Sequence, residues 1–307
     1  MQVPLIIVCG FLGAGKTTLV RRLLDDPQGV RYGIVLNDFG AIDIEGGLLA
    51  EAGADRVMLG NGCICCTVQD DLTAAVDRLL EGSPRPDRIV IETSGVSRPL
   101  PVAEAVAGER FRDRVRLDGI YCLVDAAGLS ELSFADTELA IDQAVGADLV
   151  VLNKADLAGP SRLAAAQAML LGAMPKLRSH VTENAVLPRE LLFAERAVTH
   201  YGEGHHHDQH HHDHDDAWEV WNWRSEAPLD RAKLRRALRD LPQGVLRAKG
   251  VTSAGDGARM VFHVVGKRID LTTEAGAASE SAAVAIGRCG AFDPAALNAL
   301  FAGCVVS

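Results

Sequence analysis

Short apolar runs alternate with helical patterns over the first two hundred residues of the chain. Between the runs, apolar residues recur at the spacing of one helix face, as in Leu19–Leu24. Strands that alternate with helices predict an α/β fold, in which a mostly parallel sheet carries helices on both faces. The apolar runs lie at Leu5–Cys9, Tyr32–Leu36, Arg88–Ile91, Ile120–Val124 and Leu149–Leu152.

A second pattern begins at Trp218, where strand-like segments outnumber helical ones. Leu229–Leu241 has the periodicity of an amphipathic helix, and Pro294–Phe301 predicts a closing helix. Short strands separated by turns, such as the turn at 255–257, indicate a small α+β domain. The predicted strands lie at 218–223, Val245–Val251, Met260–Val265, Ile269–Leu271 and Ala283–Ile286.

Residues 203–216, EGHHHDQHHHDHDD, differ from both patterns. They contain seven of the ten histidines and five acidic residues, with no lysine or arginine. This composition cannot contribute to a hydrophobic core, so the segment is predicted to be flexible. We therefore expect a larger domain over 1–200, a linker over 201–216 and a smaller domain over 217–307.

The composition of the whole chain excludes several classes of protein. The net charge of −10 over 307 residues argues against general nucleic-acid binding, which requires a basic surface. No apolar stretch has membrane-spanning length, and the apolar N-terminus lacks the positive charges of a signal peptide. Seven cysteines, three of them within four positions, indicate thiolate chemistry in a reducing compartment. We expect a cytoplasmic protein without nucleic-acid or membrane partners.

A glycine-rich motif, GFLGAGKT, follows the first apolar run and opens a helical pattern. It fits G-x-x-x-x-G-K-[ST], in which glycines let backbone N–H groups approach phosphate oxygens at a helix N-terminus. Lys16 is expected to contact the β- and γ-phosphates, and Thr17 to bind Mg²⁺. The residues predicted to hold the phosphates are Gly10, Gly13, Ala14, Gly15, Lys16, Thr17 and Thr18.

The sequence Asn153-Lys154-Ala155-Asp156 follows the apolar run at 149–152. A carboxylate at Asp156 can accept hydrogen bonds from guanine N1 and N2, whereas adenine presents an acceptor at N1. Downstream of a phosphate-binding loop, this N-K-x-D pattern predicts binding of GTP and GDP through Asn153, Lys154 and Asp156. A polar helix cap is the alternative interpretation.

Two acidic residues end apolar runs and are candidates for the Mg²⁺ water shell: Glu92 in IVIETSG and Asp125 in CLVDA. The carboxyl end of a parallel strand faces the ligand crevice, so packing explains an acid there poorly. We favour Glu92, because Gly95 resembles a switch glycine that contacts a γ-phosphate. Lys16, Thr17 and Glu92 are then the predicted catalytic residues, while Asp125 can equally cap the next segment.

Three cysteines are clustered in NGCICC at 61–66. In an extended chain Cys63 and Cys65 point to the same side, and Cys66 adds a third thiol. Three thiolates with one oxygen or water suit Zn²⁺, and Co²⁺ or Ni²⁺ are not distinguished from it. The alternative is a set of buried structural thiols, which is the expectation for Cys9 and Cys122 within their apolar runs.

Together these motifs resemble those of the CobW-like metallochaperone GTPases, relatives of the urease- and hydrogenase-maturation GTPases. The resemblance implies a P-loop GTPase that hydrolyses GTP and delivers a transition metal, zinc or cobalt, to a client metalloprotein. It also implies metal binding at Cys63, Cys65 and Cys66, and Mg²⁺ handling through Thr17 and Glu92. The matching segments are GFLGAGKTT (10–18), NDFG (37–40), GNGCICCTV (60–68), IETSG (91–95), LVDA (123–126), LNKAD (152–156), LPQGVLRAKG (241–250) and AIGR (285–288).

One position departs from this family, which usually has Glu where the chain has Asp38. The shorter side chain keeps the charge but withdraws the oxygen by about one methylene, so Asp38 is only a candidate ligand. Weak metal sites are expected at His205, His206, His207, His210, His211, His212 and His214.

The alternative function is a metal buffer, in which the histidines bind metal and the nucleotide domain is a scaffold. A P-loop kinase acting on a small molecule has no use for the N-K-x-D pattern or the thiols. The sequence leaves the client protein open, and it leaves open whether the chain forms a homodimer.

Overall fold

The structure of the protein, a computed structural model, describes residues 2–36, 55–58, 67–193, 218–274 and 280–306. The chain divides into two compact units, Met1–Phe193 and Ala194–Ser307. The predicted linker at 201–216 lies outside the described residues, so the predicted domain boundaries stay predictions.

No helix in the described parts of the chain combines the length and the apolar character needed to cross a membrane.

The first unit is built on a seven-stranded sheet in the order β3-β2-β4-β1-β5-β6-β7, in which every neighbouring pair is parallel. All five residues of the second and sixth strands are buried, as in sheets that helices cover on both faces. This confirms the predicted α/β fold. The strands are β1 Val3–Cys9, β2 Tyr32–Leu36, β3 Asp55–Met58, β4 Arg88–Glu92, β5 Val115–Asp125, β6 Leu149–Asn153 and β7 Ser179–Val181.

Five of the helices described in this unit lie between strands along the chain, and the last one follows β7. In α1 the buried face contains the predicted apolar residues of Leu19–Leu24. Helix α5 is interrupted at Gly159, which has a non-helical φ of 64° and is followed by Pro160. The helices are α1 Lys16–Asp25, α2 Thr67–Glu81, α3 Pro99–Ala107, α4 Phe134–Gly146, α5 Ala155–Ala173 and α6 Arg189–Leu192.

The strand order places the predicted motifs at one edge of the sheet. Strands β4, β1, β5 and β6 are consecutive neighbours and run in the same direction. Their carboxyl ends therefore lie side by side, and these ends carry Glu92, the P-loop, Asp125 and Asn153. Ligands of open α/β sheets bind at this edge.

The second unit contains a five-stranded antiparallel sheet in the order β11-β10-β9-β12-β8, together with two helices. Its core includes Trp221 and Phe301, whose ring centroids lie 5.0 Å apart. The predicted smaller α+β fold is thus confirmed. The elements are β8 Trp218–Ser225, α7 Arg231–Arg239, β9 Val245–Ser253, β10 Arg259–Val265, β11 Arg268–Glu274, β12 Ser281–Arg288 and α8 Pro294–Ala302.

The predicted helix at Leu229–Leu241 is too long at both ends. The helix begins after Asp230, because the carboxylate of Asp230 accepts the N–H of Lys233 at 2.8 Å and caps the first turn. Leu229 instead forms isolated β-bridges with Ala254 and Val305.

Candidate nucleotide and metal site

The phosphate-binding motif forms the turn between β1 and α1. Gly15 has a φ of 103°, and a Cβ added there would lie only 2.3 Å from Nδ2 of Asn153. Glycine is therefore required for the N-K-x-D segment to approach the P-loop. The buried side chain of Lys16 donates from Nζ to the carbonyl oxygen of Phe11 at 3.2 Å. Lys16 is thus held against the loop that is predicted to surround the phosphates.

The structure brings the two predicted Mg²⁺ residues together. The hydroxyl of Thr17, on α1, donates to Oε1 of Glu92 at 2.7 Å. Glu92 is the last residue of β4 and pairs with Val8, the residue before the end of β1, where the P-loop turn begins. Its side chain is buried, with only 1% of Glu92 exposed. A hydroxyl and a carboxylate at one point are hard oxygen ligands of the kind that Mg²⁺ prefers.

Asp125 occupies a different position and makes a different set of contacts. Its Oδ1 accepts the N–H groups of Ala127 and Gly128, both at 3.0 Å. Its Oδ2 lies 2.7 Å from Nζ of Lys154. Asp125 therefore caps the segment after β5, as one interpretation of the sequence predicted, and it also fixes the lysine of N-K-x-D.

We predict that Asp125→Asn weakens GTP binding about fivefold, the effect of losing one partly exposed ion pair. Asparagine keeps an oxygen for the two backbone N–H groups, so the loop should be retained while Lys154 loses its partner charge. Isothermal titration with GTP measures the change. The matched control is Asp256→Asn in the second unit, which removes an exposed ion pair with Arg231 and, like Asp125→Asn, keeps an oxygen for a backbone N–H. An unchanged affinity in Asp125→Asn would show that Lys154 needs no anchor.

Asn153 connects three segments of the site. Its Nδ2 donates to the carbonyl oxygen of Ala14 at 2.9 Å, and its Oδ1 accepts the N–H of Ala185 at 2.8 Å. Lys154 follows in a left-handed conformation with φ 60°, and Asp156 lies exposed in the first turn of α5. The P-loop, the N-K-x-D segment and the loop after β7 are therefore mutually fixed.

The loop after β7 was not predicted to belong to the site. Asn184 and Ala185 have positive φ angles of 51° and 54°, which are uncommon for residues other than glycine. The carbonyl oxygen of Asn184 accepts a hydrogen bond from Nε of Arg22 on α1 at 2.7 Å. The sequence signal was weak, because a three-residue strand and a short polar loop have no periodicity.

Gly95 lies where the loop after β4 approaches the P-loop. A Cβ added to Gly95 would lie 2.9 Å from the backbone nitrogen of Leu12 and 2.4 Å from its Cδ2. This close approach requires glycine. A second residue that sequence reasoning missed, Gln143 of α4, is buried beneath this loop and donates to the carbonyl oxygens of Gly95 and Ser97.

The predicted transition-metal ligands lie outside the described residues. These are Asp38, Cys63, Cys65, Cys66 and the seven histidines at 205–214. Within the described ranges, no group of three or more His, Cys, Asp and Glu side chains is arranged to hold a metal ion.

Cys9 and Cys122 lie side by side in β1 and β5, and both are fully buried as expected for core residues. Burial, and then a contact with the Cys122 thiol, raises the pKa of Cys9 well above its usual value. Both observations indicate a structural role, because a buried protonated thiol is unreactive.

Comparison with known proteins identifies the family. Residues 4–180 match the family described as CobW/HypB/UreG, nucleotide-binding domain, and residues 218–305 match the cobalamin synthesis protein cobW C-terminal domain. The fold and the P-loop site define a P-loop GTPase. The chain belongs to the CobW/HypB/UreG family, as the resemblance of its motifs implied.

Three curated relatives illustrate the similarity. The zinc chaperone CobW of Pseudomonas aeruginosa is 32% identical over 307 residues, which cover 88% of this chain and 82% of that protein. The zinc chaperone CobW of Sinorhizobium sp is 40% identical over 191 residues, or 53% of this chain and 54% of that protein. The zinc-regulated GTPase metalloprotein activator 1 of Schizosaccharomyces pombe is 34% identical over 176 residues, which cover 55% of this chain and 43% of that protein. The alignment thus spans about half the length of two of these relatives.

Proposed function

We propose that this protein hydrolyses GTP and uses the nucleotide cycle to bind zinc and deliver it to a client metalloprotein. The observation that carries the proposal is the convergence of Lys16, the Thr17–Glu92 pair and Asn153 at one edge of the sheet. The names of the relatives support zinc over cobalt or nickel as the cargo.

The residues at this edge fit a guanine nucleotide with Mg²⁺. Thr17 and Glu92 would hold the ion, which would neutralise charge on the phosphates. Lys16 would exchange its contact with the Phe11 carbonyl for the β- and γ-phosphate oxygens, because a phosphate anion is the stronger partner for an ammonium group. Asp156 is exposed and therefore accessible to the base, while Asn153 keeps its segment against the P-loop.

The proposed cargo site is formed by the thiolates of Cys63, Cys65 and Cys66, with Asp38 as a candidate fourth ligand. Strands β2 and β3 end at Leu36 and Met58. Leu36 lies beside Glu92 in the sheet, and Met58 lies beside Leu36 on the next strand. The chain therefore leaves the sheet toward Asp38 and the cysteines from the edge that carries the nucleotide site. This placement supports a functional connection between the two sites.

The nucleotide preference tests the first part of the proposal. We predict that GTP binds more tightly than ATP, and that Asp156→Asn weakens GTP binding roughly ten- to hundredfold by leaving guanine donors unpaired. The variant should instead favour xanthine nucleotides, whose C2 oxygen accepts from the amide. Competition of each nucleotide against a fluorescent GDP measures the order. Equal affinity of the unaltered protein for ATP and GTP would contradict the assignment.

Deletion of residues 205–214 distinguishes the proposed function, zinc delivery driven by GTP, from the alternative, metal buffering by the histidines. The sequence predicts a flexible segment at these positions, and imidazoles on such a segment would lose conformational entropy when they bind, so each site should be weak. We predict that the deletion lowers the number of zinc ions bound at saturation and leaves GTP turnover unchanged. Metal analysis and phosphate release measure the two quantities. A loss of turnover would mean that the segment belongs to the catalytic unit.

A further inference from the structure

A glutamine in helix α4 is hydrogen-bonded to the loop that follows β4. Gln143 is 0% exposed, and its Nε2 lies 3.0 Å from the carbonyl oxygen of Gly95 and 2.9 Å from that of Ser97. Carbonyl oxygens only accept hydrogen bonds, so the amide NH₂ group, and not the amide oxygen, must face the loop. Both donors of this buried amide are therefore used on one short loop.

The other side of the amide shows that packing alone does not explain this residue. Oε1 of Gln143 is buried, and it has no hydrogen-bond partner among the residues that the structure describes. A buried acceptor without a partner is unfavourable, and leucine or methionine would fill similar space without that cost. The two hydrogen bonds to the loop are the feature that only an amide supplies here.

The loop held by Gln143 is fixed between α4 and the P-loop. On one side, Gly95 approaches the backbone of Leu12 so closely that a Cβ would lie 2.9 Å from its nitrogen. Within the loop, the N–H of Ser97 donates to the carbonyl oxygen of Ser94 at 3.0 Å and closes a turn around Gly95. The orientation of this turn therefore depends on Leu12 and on Gln143.

Helix α4 also packs closely against the start of helix α3, which follows the loop. A Cβ added to Gly146, one turn after Gln143, would lie 2.9 Å from Cγ of Pro99, the first residue of α3. Close packing of α4 against the start of α3 keeps the distance between Gln143 and the loop nearly fixed. A change in the loop must therefore break or rearrange the hydrogen bonds of Gln143.

We propose that Gln143 is a positioning residue that orients the Gly95–Ser97 loop for the γ-phosphate of GTP, an inference that rests on the proposed GTPase function. With the Gly95 carbonyl held toward α4, the N–H of the same peptide group, that of Val96, points to the opposite side. Without the amide, this peptide group can rotate, and fewer molecules hold the loop in the orientation that receives the γ-phosphate. GDP has no γ-phosphate, so its affinity should not depend on Gln143.

The test compares GDP with a non-hydrolysable GTP analogue in the full-length chain. Suppose that in Gln143→Leu about one molecule in ten keeps the loop in the orientation that receives the γ-phosphate. Binding of the analogue is then weakened about tenfold, and binding of GDP is unchanged. Gln143→Met is used instead if the leucine variant does not fold, because methionine is unbranched like glutamine. The control is Leu79→Ala, which removes a buried side chain of α2 and loosens the same unit without touching the loop.

Discrimination between the two nucleotides decides the inference. A variant that weakens GDP and the analogue equally, or neither, would overturn it, because a general structural role makes no distinction between them. The same ratio in Leu79→Ala as in Gln143→Leu would overturn it as well. Unaltered protein that binds neither nucleotide contradicts the proposed function and the inference together. Unaltered protein that binds both, with a variant that does not discriminate, contradicts the inference alone.

Discussion

Replacement of Lys16 by alanine is expected to lower GTP turnover by about 100- to 1,000-fold, the effect of removing one preorganised charge from a transferring phosphoryl group. Phosphate release at saturating GTP measures the loss. The fold should persist, because in the structure the Lys16 ammonium donates to one backbone oxygen, that of Phe11. Circular dichroism of the variant should therefore match that of the unaltered protein.

Arg21→Ala is the matched control for the loss of a cation from α1. Arg21 is exposed on the same helix, and it lies outside the P-loop. Its removal should leave turnover unchanged, which separates a local role of Lys16 from a general effect of charge. Turnover in Lys16→Ala at the level of the unaltered protein would mean that phosphate binds elsewhere and that the glycine-rich turn is structural.

The sheet of the first unit could be predicted from the sequence because most residues of its five strands β1, β2, β4, β5 and β6 are buried. A continuous apolar run between polar segments leaves few alternatives, and Tyr32–Leu36 has the predicted boundaries. The shortest strands were missed. Asp55–Met58 begins with two charged residues, and Ser179–Val181 has only three residues. Such strands are defined by the neighbour they pair with, which a local pattern does not contain.

The placement of the candidate site residues could be predicted where a motif is contiguous in sequence. Thr17 and Glu92 are separated by 75 positions, yet both were predicted to belong to one site, because each follows or ends an apolar strand in a recognisable context, and the structure places them in contact. The contact of Asn153 with Gly15 and Ala14 could not be derived in the same way. It depends on the order of β1, β5 and β6 in the sheet, which fixes which motifs meet.

Gln143 shows why supporting residues are harder to predict than ligands. A glutamine is an ordinary helix residue, and the spacing of α4 does not distinguish a buried position from an exposed one at that point. Its role depends on two carbonyl groups that are 46 and 48 positions away in the sequence. Backbone carbonyls are present at every residue, so no sequence pattern marks the pair.

The affinity of the proposed cysteine site for zinc is expected to depend on the nucleotide. Asp38 follows β2, which ends at Leu36 beside Glu92, and the three cysteines follow β3, which ends at Met58 beside Leu36. Loss of the γ-phosphate removes contacts that hold switch loops in one arrangement. A tetrahedral thiolate site tolerates little displacement, so movement of a neighbouring loop can weaken a ligand.

A typical coupling free energy of about 1–3 kcal/mol would change zinc affinity roughly 5- to 150-fold between the two nucleotide states. Linkage requires that bound zinc change the affinity for the GTP analogue, relative to GDP, by the same factor. The measurement is a competition titration with a chromophoric chelator, in GDP and in a non-hydrolysable GTP analogue. It is made on protein lacking residues 205–214, so that the predicted weak histidine sites do not contribute.

Cys65→Ser tests whether the three thiols carry this coupling. The variant replaces a thiolate with a hydroxyl that binds zinc poorly, so the nucleotide-dependent difference should disappear while GTP binding is retained. Cys289→Ser, which changes an exposed cysteine of the second unit, should keep the difference. Equal zinc affinity in both nucleotide states of the parent protein would contradict the coupling. The protein would then be a GTPase whose thiol site is structural, and delivery of zinc would have to be driven by the client alone.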